Sequence, residues 1–296
     1  VARVALAPAK VNLFLHVGAP TADGYHPICS LMAFADFGDH LEARPADAPA
    51  LRVRGPFAEG LSAGGDNLVA RAAAALRAEV RRPVSPLALI LDKRLPVASG
   101  LGGGSSDAGA ALRLMRELLD LPVPDDRLEA IAAGLGADGA ACLWGRPAIA
   151  EGRGEVLSRA PGLPPLDVVL VNAGAPVSTA EVYRRFDANG RFGDIAPPDE
   201  PEAFEDAIEV AAWLTRQRND LETPAIQAAP VVGDVLATLA GEPETLLARV
   251  SGSGGTCFAL CDGDLAAEGL AERIEAMEPH WWVRRCRLGG PWPDPE

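Results

Sequence analysis

Four glycines and three serines crowd into Pro96-Val97-Ala98-Ser99-Gly100-Leu101-Gly102-Gly103-Gly104-Ser105-Ser106-Asp107, directly ahead of an amphipathic stretch. Glycine lets a backbone approach an anion closely, and the first N–H groups of a helix are unpaired donors at the positive end of its dipole. Such a loop can hold phosphate, with Ser105 and Ser106 adding hydroxyls for phosphate oxygens or a magnesium ion. A P-loop needs lysine after its last glycine and the dinucleotide fingerprint needs glycine where Ser105 stands, so neither fits. No GxSxG elbow occurs, which removes a serine hydrolase. Taken alone, the loop is also compatible with a plain β-to-α turn.

The elements around it are readable from periodicity. Ala108, Ala111, Leu112, Met115, Leu118 and Leu119 recur at spacings of three and four, predicting a helix that starts near Ser105 to Asp107. Upstream, strands are predicted over 4–6, 11–17 and 31–37 with a turn at Asp23-Gly24, then a helix to Leu76 capped by Asp66 or Asn67, then a strand over 87–91. Downstream come a helix over 125–134 and strands from there through Glu155. The prolines in 159–165 mark a boundary, giving domains of 1–158 and 159–296. The second half is expected to hold a strand over 166–171, a helix from Thr179, and an exposed acidic loop over 194–205. A long helical region, the glycine turn Ser251-Gly252-Ser253-Gly254-Gly255, a strand, a helix over 265–277 and a closing strand follow. Intermingled strands and helices with antiparallel connections predict an α+β fold.

Composition narrows the partners. A net charge of −14 argues against nucleic acid, whose binders neutralise phosphates with a basic face. It leaves a small anionic ligand open, because backbone N–H groups bind phosphate without changing net charge. Five scattered cysteines and four dispersed histidines match neither a disulfide framework nor a zinc site, so no resident metal is expected. With no long apolar run, the chain reads as soluble and cytoplasmic, with no membrane partner.

The segment 95–108 resembles the ATP motif of the GHMP kinases. The runs Ala7-Pro8-Ala9-Lys10-Val11-Asn12, Asp23-Gly24-Tyr25-His26, Gly136-Ala137-Asp138 and Ser251-Gly252-Ser253-Gly254-Gly255 narrow the resemblance to the members that act on the cytidine diphosphate conjugate of methylerythritol. The resemblance implies a two-domain GHMP kinase fold: an N-terminal domain like ribosomal protein S5 domain 2 and a ferredoxin-like C-terminal domain, with ATP and Mg2+ as cofactors. It implies that Asp138 accepts the proton of the attacking hydroxyl and that Lys10 is its partner. Asn12 would bind substrate hydroxyls, Tyr25 and His26 the cytosine, and Tyr183 with Thr179 the other side of the base. On the nucleotide side it implies Asn67, Lys93, Pro96, Gly100, Leu101, Gly102, Gly103, Gly104, Ser105 and Ser106. Gly252 and Gly254 would shape the cleft.

The sequence departs from that pattern after Asp138, where Gly139 and Ala140 replace Val-Pro. A loosened catalytic turn is the expectation, and it keeps an impaired nucleotide sensor as an alternative; another small-molecule GHMP kinase is the second alternative, excluded if Tyr25, His26 and Tyr183 enclose a pyrimidine. Val250 stands where methionine is common, a volume-tolerant packing change. The chain is expected to act as a monomer or weak homodimer.

Overall fold

The computed structural model describes residues 2–80 and 82–295. In chain order they form β1 (Arg3–Val17), β2 (Ile28–Pro45), β3 (Ala50–Arg54), α1 (Leu68–Glu79), β4 (Leu87–Asp92), α2 (Gly103–Leu118), α3 (Asp125–Leu135), α4 (Gly139–Trp144), β5 (Ala148–Gly152) and β6 (Val156–Arg159). Then follow β7 (Leu166–Asn172), α5 (Thr179–Asn189), α6 (Ala207–Leu214), α7 (Glu222–Ala228), α8 (Val231–Ala240), β8 (Thr245–Val250), β9 (Thr256–Cys261), α9 (Asp264–Met277) and β10 (Trp282–Gly289). The mixture is α+β.

The apolar run of β2 makes it a buried spine. Its one edge pairs antiparallel with β1 almost throughout. Its other edge is divided among three partners: β5 over Ile28 to Met32, β10 at Phe34 and Ala35, and β4 from His40 onward. Through β10 the sheet continues to β7, β9 and β8, so ten strands share one sheet across both halves of the chain.

Among the described residues three large apolar cores and a smaller one around Met32 and Phe34 lie on this sheet. Leu41, Leu89 and Leu91 pack with Leu76 of α1 and Leu112 and Met115 of α2. Phe14, Leu31 and Phe258 pack with Trp213 and Leu214 of α6. Val169 and Val171 pack with Val182, Val235, Leu270 and Ile274 of α5, α8 and α9. Each such side chain removed from water contributes about 1.5–3 kcal/mol.

Several expectations are met. Asn67 caps α1 by accepting the Val69 N–H at 2.9 Å, and β4, α3, β7, α5 and α9 lie where periodicity puts them. Others are corrected. The two N-terminal strands are one, because Pro8 falls at a register shift, where a missing N–H is tolerated. The predicted strands after Asp138 begin instead with α4: a six-residue run buried on all sides has no period that separates helix from strand. The long helical region breaks into α6, α7 and α8, and β8 was not foreseen. Helix α2 starts at Gly103, two residues before Ser105, which places two of the glycines inside its first turn.

Burial also leaves His16 of β1 exposed by only 4%, beside the Phe14 ring at 4.7 Å, with no hydrogen-bond partner for either ring nitrogen among the described residues. Burial, then the charge of Arg218, lowers its pKa from 6.5 to about 4, with Arg249 acting in the same direction and Asp220 and Asp194 opposing. The unfolded chain therefore takes up a proton before the folded one does. Stability should fall as pH drops from about 6.5 towards 4, by at most about 3 kcal/mol. Urea unfolding across that range should show a smaller fall for His16→Phe than for the wild type; equal falls would assign the effect elsewhere.

Candidate active site

The glycine loop closes on α2 through Gly102, whose left-handed backbone (φ 63°) serves as the N-cap and carries no side chain. Its carbonyl accepts the Ser106 N–H at 2.9 Å, which leaves the N–H groups of Gly103, Gly104 and Ser105 ahead of the first helical bond. A Cβ on Gly102 would lie 3.1 Å from the Lys10 side chain, so the loop and β1 touch where the donors point.

The loop is held from below by a buried triad. Lys93 pairs with Asp39 of β2 and, at 2.8 Å, with Asp107 of α2. The other Asp39 oxygen accepts the Arg94 and Leu95 N–H groups at 2.5 and 2.9 Å, pinning the chain as it enters the loop. Burial works to lower the Lys93 pKa, but the two carboxylates outweigh it and raise it. Burial, with the nearby Asp39 charge, pushes Asp107 well above the usual carboxyl range despite Lys93. The loop is also held from the side. A Cβ on Gly100 would sit 2.3 Å from the Ser251 carbonyl, and Thr256 N–H donates to Ser99 O at 3.0 Å, so the two glycine turns interlock.

Lys10 and Asn12 lie between two register shifts of β1, at Pro8/Lys10 and Asn12/Phe14. Such irregularities re-aim side chains, and alternation keeps these two on one face. Lys10 Nζ donates to Asn12 Oδ1 at 2.6 Å and lies 3.3 Å from Asp138 Oδ2. Asn12 is fixed in turn: its Nδ2 donates to Ser30 Oγ at 2.8 Å and its N–H to Ser251 Oγ at 3.2 Å. The Lys10 side chain is 5% exposed and that of Asp138 30%, so an ammonium at the bottom faces a carboxylate open to the cleft.

The cleft encloses about 1510 Å³. Lys10, Asn12, Asn67, Lys93, Pro96, Gly100, Leu101, Gly102, Gly103, Gly104, Ser105 and Asp138 line it, as do Tyr25, His26, Thr179 and Tyr183 at its other end. Ser106 does not. It is fully buried, and its Oγ has no hydrogen-bond partner among the described residues, so it faces the protein rather than the cleft. Lys93 borders the cleft with its ammonium committed to two carboxylates.

At the aromatic end, the His26 ring lies 5.2 Å from that of Tyr183 and packs on Phe186 and Phe192. Its Nδ1 meets Gly18 O at 2.8 Å and its Nε2 lies 3.1 Å from Asp187, so both ring nitrogens are engaged. Burial, then the Asp138 charge, pushes the Tyr183 phenol up to about 12. Thr179 Oγ1 meets Ser253 Oγ at 2.9 Å, tying α5 to the second glycine turn.

Sequence reasoning missed Asp39, Arg153, Asp187 and Ser30. Asp39, on a strand far from the loop, carries no local motif; Asp187 sits one helical turn beyond Tyr183, a spacing that could have drawn attention. Among the described residues no three His, Cys, Asp or Glu side chains gather as a metal cage.

The turn after Asp138 corrects the expectation of looseness. Gly139 opens α4 directly against α3, and a Cβ there would lie 1.9 Å from the Ala132 carbonyl. The glycine permits a backbone contact that fixes the turn by packing.

Known proteins resemble this chain in sequence and fold. Residues 67–146 match the GHMP kinases N terminal domain and residues 201–280 the GHMP kinases C terminal domain. The chain is 61% identical over 285 residues to a 4-diphosphocytidyl-2-C-methyl-D-erythritol kinase of Caulobacter vibrioides, covering 96% of this chain and 98% of that one. It is 48% identical to the protein of that name from Hyphomonas neptunium, over 96% and 95% of the two chains. A crystal structure of 4-(cytidine 5'-diphospho)-2C-methyl-D-erythritol kinase superposes with a TM-score of 0.77 at 34% identity, covering 97% and 99%. A homoserine kinase from Cytophaga hutchinsonii, at 17% identity and a TM-score of 0.70 over 97% and 95% of the two chains, shares the fold.

Gly139→Ala should destabilise the protein by about 1–3 kcal/mol, the cost of forcing atoms into a packed contact. Chemical denaturation measures it; an unchanged midpoint would mean that α3 and α4 are not held by this approach.

Proposed function

This chain belongs to the 4-diphosphocytidyl-2-C-methyl-D-erythritol kinases, a family of GHMP kinases, and from that membership we propose that it transfers the γ-phosphoryl group of ATP to the 2-hydroxyl of the methylerythritol unit. The observation that carries the reading is the Lys10–Asp138 pair, 3.3 Å apart, in the same cleft as the open start of α2.

The substrate hydroxyl binds between Lys10 and Asp138. As its oxygen bonds to the γ-phosphorus, the bond from that phosphorus to the β-phosphate oxygen breaks, the proton passes to Asp138, and ADP leaves. Lys10, oriented by Asn12, stabilises negative charge on the attacking oxygen. The N–H groups of Gly103, Gly104 and Ser105 and the dipole of α2 hold phosphate oxygens. Magnesium neutralises phosphate charge when bound. Mg2+ keeps several waters and takes few protein oxygens. Ser105, in the first turn of α2 and lining the cleft, would offer it a hydroxyl.

The cytosine stacks between Tyr25 and Tyr183. With both ring nitrogens of His26 engaged, the groups it offers a base are its backbone N–H and C=O. Division at 158/159 puts the loop and Asp138 in one domain and Thr179 and Tyr183 in the other. No helix among the described residues is long and apolar enough to cross a membrane, and we place the enzyme in the cytoplasm with its ATP. Packing of Gly139 favours an active enzyme over an impaired sensor.

The protein should form ADP with ATP, magnesium and the cytidyl conjugate, and not with homoserine or mevalonate. Asp138→Asn should lower kcat by about 100- to 10,000-fold, the range for losing a general base. Absence of turnover with the conjugate would remove the substrate assignment, and a wild-type rate in Asp138→Asn would remove the base.

A further inference from the structure

The turn between β5 and β6, residues 152–155, touches both ends of the cleft. The Arg153 guanidinium lies over the Tyr25 ring, 4.1 Å from its centroid, and also pairs with Asp23. Asp23 organises the Tyr25 loop by accepting Thr21 Oγ1 at 2.6 Å and the Tyr25 N–H at 3.3 Å. On the other side of the turn, Gly154 has φ 112° and lies so close to the residue before Asp138 that a Cβ would be 2.6 Å from the Ala137 carbonyl. The turn itself is closed by Arg153 N–H to Glu155 at 2.6 Å and Gly154 N–H to Glu151 O at 3.0 Å. Register with the sheet is fixed, since Gly152 pairs with Ile28, three residues after Tyr25.

Tyr25 is 57% exposed, so little apolar packing restrains its ring. An aromatic side chain left free loses rotamer entropy when a base stacks on it. A guanidinium on one face removes part of that loss beforehand and leaves the other face for the ligand.

We propose that this turn is a strut between the base slot and the catalytic turn: Arg153 is a positioning residue that backs the Tyr25 ring, and Gly154 transmits the position of that wall to Ala137 and Asp138. The inference rests on the reading that cytosine stacks on Tyr25.

Steady-state kinetics with ATP and the cytidyl conjugate test it. Arg153→Ala and Arg153→Met should each raise KM for the conjugate about three- to tenfold, with KM for ATP and the melting temperature unchanged. Arg153→Lys, which keeps a cation for the ring, should recover most of the loss. Arg153→Ala should add nothing in a Tyr25→Leu background. Gly154→Ala should lower kcat more than it changes KM; if that variant does not fold, Glu155→Ala, which opens the same turn, replaces it.

An unchanged KM in the Ala and Met variants, or Lys no better than Met, would overturn the role of Arg153. A lowered KM would also overturn it, placing the guanidinium where the base belongs. An unchanged kcat on opening the turn would overturn the link to Asp138. A wild type that turns over no cytidyl conjugate would instead overturn the substrate reading, and the strut with it.

Discussion

A phosphate cradle made of glycine offers donors but has no side chains with which to fix its own backbone, so its shape has to be imposed by its surroundings. Here the constraint comes from two directions. From below, one Asp39 oxygen takes the Arg94 and Leu95 N–H groups while the other takes Lys93. From the side, Gly100 of the loop packs against Ser251 and Gly254 of the turn that follows β8, and Gly255 of that turn packs against Ala98 and Ser99 of the loop. Lys10 N–H, donating to Leu101 O at 2.8 Å, then ties the loop to the strand that carries Lys10 and Asn12. The position of β2 follows from this: it supplies Asp39 at one end and, through Ser30, the support of Asn12 towards the other.

The triad also answers an electrostatic difficulty. Two ionised carboxylates around one ammonium would leave a net negative charge beneath a site meant for phosphates, and at short range in a poorly solvated interior that repulsion is large. Burial, with the Asp39 charge, pushes Asp107 well above the usual carboxyl range, the direction that lessens this repulsion. Lys93, held between Asp39 and Asp107, fixes the geometry. Breaking such a pair from one side is far costlier than the pair's net contribution, because it strands a buried charge.

How much of this was legible in the sequence depended on how local the cause was. The loop, its helix and the Asn67 cap are set by neighbours in the chain, and spacing alone placed them to within two residues. Lys10 and Asp138 stand out by resemblance and Asn12 by its place on the same strand face, and in the structure Lys10 Nζ lies 2.6 Å from Asn12 Oδ1 and 3.3 Å from Asp138 Oδ2. What stayed hidden was set by distant packing. Asp39 lies 54 residues from Lys93, the Ser106 hydroxyl faces inward because α2 begins two residues early, and α4 has no polar face to betray its period.

The replacement of Val-Pro by Gly139-Ala140 illustrates why a local rule fails at such a site. In an isolated peptide, glycine in place of a restricted residue widens the unfolded ensemble and weakens the turn. In the folded protein, three glycines instead allow backbone contacts around that turn: Gly139 against the Ala132 carbonyl, Gly154 against that of Ala137, and Gly109 of α2 against that of Cys142. Each contact is closer than any side chain would permit. Asp138 therefore sits in a turn bounded by α3 below, the β5–β6 turn on one side and α2 through α4 on the other. The added freedom belongs to the unfolded chain, and the rigidity of the turn that holds Asp138 is recovered by close packing.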